Sequence, residues 1–264
     1  MDSTKTTEYR YLGKRALPVD GQDKLLGQLN FTGDLKIGGM LHVRLMLSPH
    51  PHARIISVDR TAAQALPGVV AVLTAEGLPT RDQVISSRMS AVLAKEKVLF
   101  EGQPVVAVVG ETVAAAQDGV EALEVAYELL PAIPNLDAAL SPESPILWPY
   151  GLPKDAIDVS ADHGGVEQQS TAESSEPSNI HTENKYARGD VEQGFQEADV
   201  VLERTYRIPA VHQGYLEPQI AVAAPEGSSG LVLYVSTQGP RTIRNEVARL
   251  LRLARSQVRV VAMP

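Results

Sequence analysis

The run Val105-Val106-Ala107-Val108-Val109 most constrains what this chain can fold into. It is wholly apolar, rich in β-branched residues and too short for an independent helix, so it reads as a buried strand. The turn Glu101-Gly102-Gln103-Pro104 feeds it. Thr112 can cap a helix over roughly Val113 to Leu123, and another strand is expected around Glu124 to Leu130. The segment is therefore a strand–helix–strand unit, closed by Pro131 and Pro134.

Strands are frequent before this unit. Leu41 to Leu47 alternates and is ended by Ser48-Pro49, Ala53 to Val58 is a second strand, and Val69 to Leu73 a third. With 264 residues, 44% of them hydrophobic, the chain can bury a sizeable core, and its length suits two domains of unequal size. Residues 1–19 are polar and read as an arm that docks on a neighbour. A compact unit follows over 20–134. From residue 135 to 185 the composition shifts to Pro, Ser, Glu, Gln and Asp, with Ser170 to Ser178 low in apolar content, which predicts a linker or long surface loop.

Ordered structure resumes over 186–264. Gly189-Asp190 starts a short helix with Asp190 as cap and Gln193 three residues on, and Val200 to Ile208 reads as a strand. Gln219 to Ala224 and Leu231 to Ser236 are strand-like runs around the turn Pro225 to Gly230. Gln238 then sits where a strand gives way to a helix. Pro240 suits a first helical turn, and Ile243, Val247, Leu250 and Leu251 repeat at helical spacing. Val258, Val260 and Val261 form a last apolar strand, which we expect to be an interface. The chain contains no internal repeat.

Net charge is −8, with 24 basic against 32 acidic residues, which argues against a phosphate-tracking surface and so against nucleic acid as a partner. No cysteine is present, which removes disulfides, thiolate metal sites, iron–sulfur ligation and a thiol nucleophile together. Redox chemistry would need a borrowed centre. The amino terminus lacks the apolar core of a secretion signal, and no apolar run approaches the ~20 residues of a membrane span. A cytoplasmic location is the expectation.

Several residues invite a site. His50 and His52 in Ser48-Pro49-His50-Pro51-His52 could flank an ion on an extended chain, but the prolines favour a rigid turn and no third ligand follows. His212 and Glu217 could act as a base and its orienter, although Glu217 before Pro218 equally suits a corner in which it accepts backbone N–H bonds. Arg241, Arg244, Arg252 and Arg255 cluster on one side of the predicted helix, as a solvated face or subunit contact, with phosphate binding as the other reading. Gly38-Gly39 and Gly164-Gly165 lack the spacing of nucleotide loops, and Arg188-Gly189-Asp190 is best read as a helix start.

An ordered series of short stretches resembles the molybdenum-binding subunit of the xanthine dehydrogenase and aldehyde oxidase family. It comprises Pro18-Val19-Asp20-Gly21 with Lys24 and Gly27, Ser48 to Ile55, Leu66-Pro67-Gly68-Val69 and Phe100 to Val105. It continues with Gly189-Asp190, Ala198-Asp199, Tyr215-Leu216-Glu217-Pro218 and Thr237-Gln238. The resemblance implies an α+β fold, with an α/β hammerhead domain over 20–134 followed by the first, incomplete part of a molybdopterin-binding domain over 186–264.

By the same likeness the cofactor is molybdenum held by molybdopterin, shared with a second molybdopterin-binding chain, while iron–sulfur clusters and FAD sit on other subunits. Gln238 matches the family glutamine that hydrogen-bonds an oxo ligand of molybdenum, and Gly239 shapes the same turn. No residue of this chain ligates metal, and none is catalytic: the glycine-rich cofactor loop and the general-base glutamate are expected beyond Pro264. The implied activity is hydroxylation of a small molecule at a carbon next to nitrogen or oxygen, by a complex in which this chain is a split or truncated part. The rival expectation is a non-catalytic relic or assembly module.

Overall fold

The computed structural model describes residues 9–78, 92–147, 179–180, 188–209 and 211–264. The linker expected over 135–185 falls mostly outside them, as do residues 1–8 and Gly164-Gly165.

The apolar run is indeed a strand, and it is the centre of the fold. Strand β5 (Pro104–Gly110) lies between β1 (His42–Leu47) and β3 (Val69–Leu73), antiparallel to both. Val108 faces Arg44 on one side and Val72 on the other. Helix α3 (Val113–Glu121) follows, capped by Thr112, whose hydroxyl accepts from the Ala115 amide at 3.0 Å. It packs so closely on the sheet that a Cβ on Gly119 would stand 2.6 Å from Val108 Cγ1. A second sheet places β2 (Ala53–Asp59) between β4 (Lys97–Val98) and β6 (Glu124–Leu129).

Ala53, Val72, Val98, Val105, Val106 and Val108 form one buried cluster, with Met46, Ile55, Val58 and Tyr127 packed against it. Each fully buried valine contributes about 1.5–3 kcal/mol of apolar transfer, before the entropy of ordering is set against it. Small helices α1 (Gly21–Leu25), α2 (Thr61–Ala65) and α4 (Leu136–Leu140) lie along this half.

The second half opens with α5 (Val191–Glu197), where Asp190 caps by accepting from the Gln193 amide at 2.9 Å. Strands β7 (Ala221–Glu226) and β8 (Gly230–Ser236) form an antiparallel hairpin, α6 (Pro240–Leu251) crosses over, and β9 (Val258–Met263) returns parallel to β8. Its core is Leu233, Ala248 and Val258, with Ile243, Val247 and Val260 against them.

The expected strand–helix–strand order is observed as β5, α3 and β6; β5 already has a neighbour on each edge, so β6 joins the other sheet through β2. Three expectations need correction. The turn between β7 and β8 is shorter than 225–230, because Pro225, Glu226 and Gly230 are still paired. Pro225 is tolerated because β7 is an edge strand and can spare an N–H. Helix α6 ends at Leu251; Arg252 turns left-handed at φ 57° and Arg255 opens a 3-10 turn, so the four arginines do not share a helix. Finally, Val200 to Ile208 pairs with nothing: among the described residues it makes no backbone-to-backbone hydrogen bond. Among the described residues no helix is long and apolar enough to cross a membrane.

Candidate functional site at the carboxyl ends of the parallel strands

Ligands of open sheets with helical crossovers gather where parallel strands end and helices begin. In this chain that place is the end of β8 and β9. The Ser236 hydroxyl donates to Glu217 Oε1 at 2.7 Å, with the Thr32 hydroxyl and the Pro264 carbonyl each 3.4 Å away. Thr32 is 1% exposed and comes from a 3-10 turn 204 residues earlier. The front half thus props the end of β8 directly.

From Ser236 the chain runs through Thr237, Gln238 and Gly239 into α6. Thr237 Oγ1 accepts from the Gly239 amide at 3.0 Å, which tightens the turn and leaves Gln238 exposed at its tip. Gly239 occupies the capping position with no side-chain cap, and the first turn of α6 carries no acidic residue. The amides of that turn and the positive end of the helix dipole therefore face outward, beside exposed Arg241. Thr242 Oγ1 is buried there without a partner. A Cβ on Gly239 would meet Thr242 only at ordinary contact distance, 3.4 Å, so the chain's own packing does not require glycine. Such a turn can offer an amide side chain and open N–H groups to an oxygen-rich ligand.

The other predicted residues disperse. Glu217 belongs to this place, bonded to Ser236 and not to backbone amides. His212 does not reach it: its Nδ1 accepts from the Gly214 amide at 3.0 Å, and its ring lies 4.8 Å from that of Tyr215. The base-and-orienter pair is not assembled. Arg244 bonds Asn245, Arg249 pairs with Glu246, and Arg252 and Arg255 lie past the helix end.

His50 and His52 are held apart by different partners. The His50 ring meets Tyr127 edge-on at 5.0 Å, whereas buried His52 places Nδ1 2.6 Å from the Pro131 carbonyl. Burial of Tyr127 pushes its phenol upward, with a hydrogen bond to Ser48 acting the other way. Their loop is braced by the Gln103 corner. Ser48 N–H donates to the Gln103 carbonyl at 2.9 Å, Gly102 N–H returns a bond to the Ser48 carbonyl at 2.8 Å, and the Gln103 side chain accepts from Leu99 N–H at 2.7 Å. These two short stretches hold one corner of the fold. Among the described residues no group of three or more His, Asp or Glu gathers as for a metal ion.

Sequence reasoning missed Thr32, Ser236 and Thr242. Ser236 and Thr242 flank Gln238 closely and could have been found as short polar residues around a strand end. Thr32 carried no such signal.

Comparison with known proteins finds two family matches in tandem along the chain. Residues 26–131 match the family model described as aldehyde oxidase and xanthine dehydrogenase, a/b hammerhead domain, and residues 172–264 match the molybdopterin cofactor-binding domain. The nicotinate dehydrogenase large molybdopterin subunit of Eubacterium barkeri is 30% identical over 96% of this chain and 54% of its own length. The carbon monoxide dehydrogenase large chain of Hydrogenophaga pseudoflava is 32% identical over 94% of this chain and 30% of its own. Among solved structures, a Cu,Mo-CO dehydrogenase superposes with a TM-score of 0.75 at 31% identity, covering 95% of this chain and 31% of that one. Quinoline 2-oxidoreductase from Pseudomonas putida 86 gives 0.74 at 26% identity, with 30% of that chain covered. The chain spans about half the length of the first of these relatives and under a third of the others. Two family matches in tandem, and an α+β fold shared along nearly all of its length, mean that this chain belongs to the molybdopterin-binding xanthine dehydrogenase/aldehyde oxidase family.

Proposed function

We propose that the chain is the amino-terminal part of the molybdopterin-binding subunit of a molybdenum hydroxylase, an oxidoreductase active only as a complex. The observation that carries this reading is the polar turn Ser236–Gly239 at the carboxyl ends of parallel strands, inside the segment matched to cofactor binding. We assign 20–134 to the hammerhead part, 135–185 to the connection and 186–264 to the start of the cofactor-binding part. The matches over 26–131 and 172–264 support that division, the second reaching into the connection.

The residues present fit one side of the cofactor. Gln238 is exposed at the tip of the turn, the amides of the first turn of α6 lack a side-chain cap, and Gly239 leaves space that its own neighbours do not demand. Bound there, molybdenum on its pterin would supply the two-electron oxidation of a small molecule. The part of this chain is orientation. The Gln238 amide would donate a hydrogen bond to an oxygen of the group, and the helix end with Arg241 would offset negative charge. Glu217, engaged by Ser236, is a positioning residue for the turn and not a general base. The base would come from the remainder of the subunit, a second molybdopterin-binding chain, with iron–sulfur clusters and FAD on further partners.

Gln238→Ala in the assembled enzyme tests the reading. One hydrogen bond in a dry site that stabilises developing charge is worth about tenfold or more in turnover, while the pterin carries most binding contacts. Turnover should fall by that factor with molybdenum content kept. Unchanged turnover at full metal loading would leave the chain a scaffold.

A further inference from the structure

Strand β8 loses its two neighbours at different points. Beside β9 the ladder continues to the end of the strand, where Ser236 faces Met263. Beside β7 it stops one residue earlier, with Ala221 facing Val235. Past that point the further contacts of Ser236 are made by its hydroxyl, which meets Glu217 and Thr32. A serine hydroxyl has one proton to give. The 2.7 Å separation commits that proton to Glu217 Oε1, since the Pro264 carbonyl lies farther off, at 3.4 Å. The contact with Thr32 therefore runs one way: the Thr32 hydroxyl donates and Ser236 Oγ accepts. Thr32, Ser236 and Glu217 form a directed relay from the front half to the back, and links in such a chain polarise and strengthen one another.

The origin of the relay is rigid. Thr32 is buried, and Asp34 closes its turn by accepting from Phe31 N–H at 3.0 Å through Oδ2. The turn also lies close to the residue before β7, where a Cβ on Gly33 would stand 3.1 Å from Ile220 Cδ1. Among the described residues Ser236 Oγ is the one hydrogen-bond partner of the Thr32 hydroxyl. We propose that Thr32 is a positioning residue for the cofactor-facing turn: acting through Ser236, it fixes the turn that presents Gln238. Only Thr237 separates Ser236 from Gln238, and Thr237 Oγ1 holds the Gly239 amide, so a shift at Ser236 passes to the tip with little slack. This rests on the reading of Gln238 as the residue that faces the molybdenum group. A threonine kept only to fill the core would give way to valine without loss, whereas a relay needs the hydroxyl.

The test has two arms. In the isolated full chain, hydrogen exchange at Gly239 and Ile243, whose amides bond to Thr237 Oγ1 and to the Gly239 carbonyl, reads the turn without any cofactor. Thr32→Val keeps the shape and removes the hydroxyl, so exchange at both amides should quicken about two- to tenfold, the share of one neutral hydrogen bond, with β5 unchanged. Thr32→Ser keeps the hydroxyl and should restore slow exchange. Ser236→Ala cuts the same link at an exposed position, without touching the front core, and should reproduce the effect of Thr32→Val. In the assembled enzyme, Thr32→Val should lower turnover about threefold or more at unchanged molybdenum content, and should cost nothing further when Gln238 is already alanine. Unchanged exchange in both Thr32→Val and Ser236→Ala overturns the relay and leaves the proposed function standing. Fast exchange in Thr32→Ser overturns it too, since the methyl group would then hold the turn. An equal fractional loss of turnover with and without Gln238, or no loss at all, overturns action through Gln238. Turnover insensitive to Gln238→Ala itself overturns both readings.

Discussion

The two halves of the molecule bury their apolar residues to very different degrees. In the front half β5 has neighbours on both edges, α3 on one face, and Val105, Val106 and Val108 at 1% exposure or less. In the back half a three-stranded sheet and one long helix enclose a core of three residues, while Val200, Leu202, Tyr206, Ile208 and Leu216 remain in water. Both halves are equally rich in strand-forming residues. The difference lies in pairing: the front half closes its sheets with its own strands, whereas the back half presents strand-patterned sequence for which the described chain has no partner. A self-sufficient core lies beside a sheet whose neighbouring apolar residues stay in water.

The largest effect that would break this comparison is at Val106. Val106→Asp would bury an unpaired carboxylate at a position of 0% exposure, and such changes cost more than about 4 kcal/mol. We expect no cooperative unfolding transition for this variant; a transition near that of the parent would deny the front core its role.

Two glycines in helices sharpen the contrast through opposite signs. Gly119→Ala gains about 1 kcal/mol of helix propensity, but its Cβ would stand 2.6 Å from Val108 Cγ1 and 3.1 Å from Val69 Cγ2, and overpacking costs about 1–3 kcal/mol. The clash should prevail, lowering the denaturant midpoint. Gly194 of α5 has nothing within 4 Å of the same position, so Gly194→Ala should raise the unfolding free energy by about 0.4–1 kcal/mol. The same sign at both sites would mean that the halves are packed alike. Smallest of all, Leu202→Asp should change the stability of the isolated chain by less than about 0.5 kcal/mol, as for any exposed position free of special contacts.

Much of this architecture was legible because it is written locally. Val105 to Val109, the Thr112 and Asp190 caps, and Pro240 opening α6 are signals within a few residues, and each element formed where its signal stood. Pairing was not legible, since it joins distant stretches: nothing near Glu124 says that β6 pairs with β2, and nothing near Val200 says that it stays unpaired among the described residues. The left-handed end of α6 fell on an arginine, without the glycine that usually marks such a stop. At the candidate site, the strand-to-helix position of Gln238 followed from Pro240 and the preceding apolar run. Glu217 meeting Ser236, with Thr32 beneath, depends on contacts across 19 and 204 residues and left no trace in spacing.

Native-state hydrogen exchange on the isolated full chain tests the central contrast most directly, because amide protection reports the free energy of opening element by element. The slowest exchange should fall on Val105 to Val109, with the amides of β7, β8 and β9 opening at lower free energy and 200–208 exchanging freely. Protection of β8 and of 200–208 equal to that of β5 would contradict the account, since the back half would then be complete on its own.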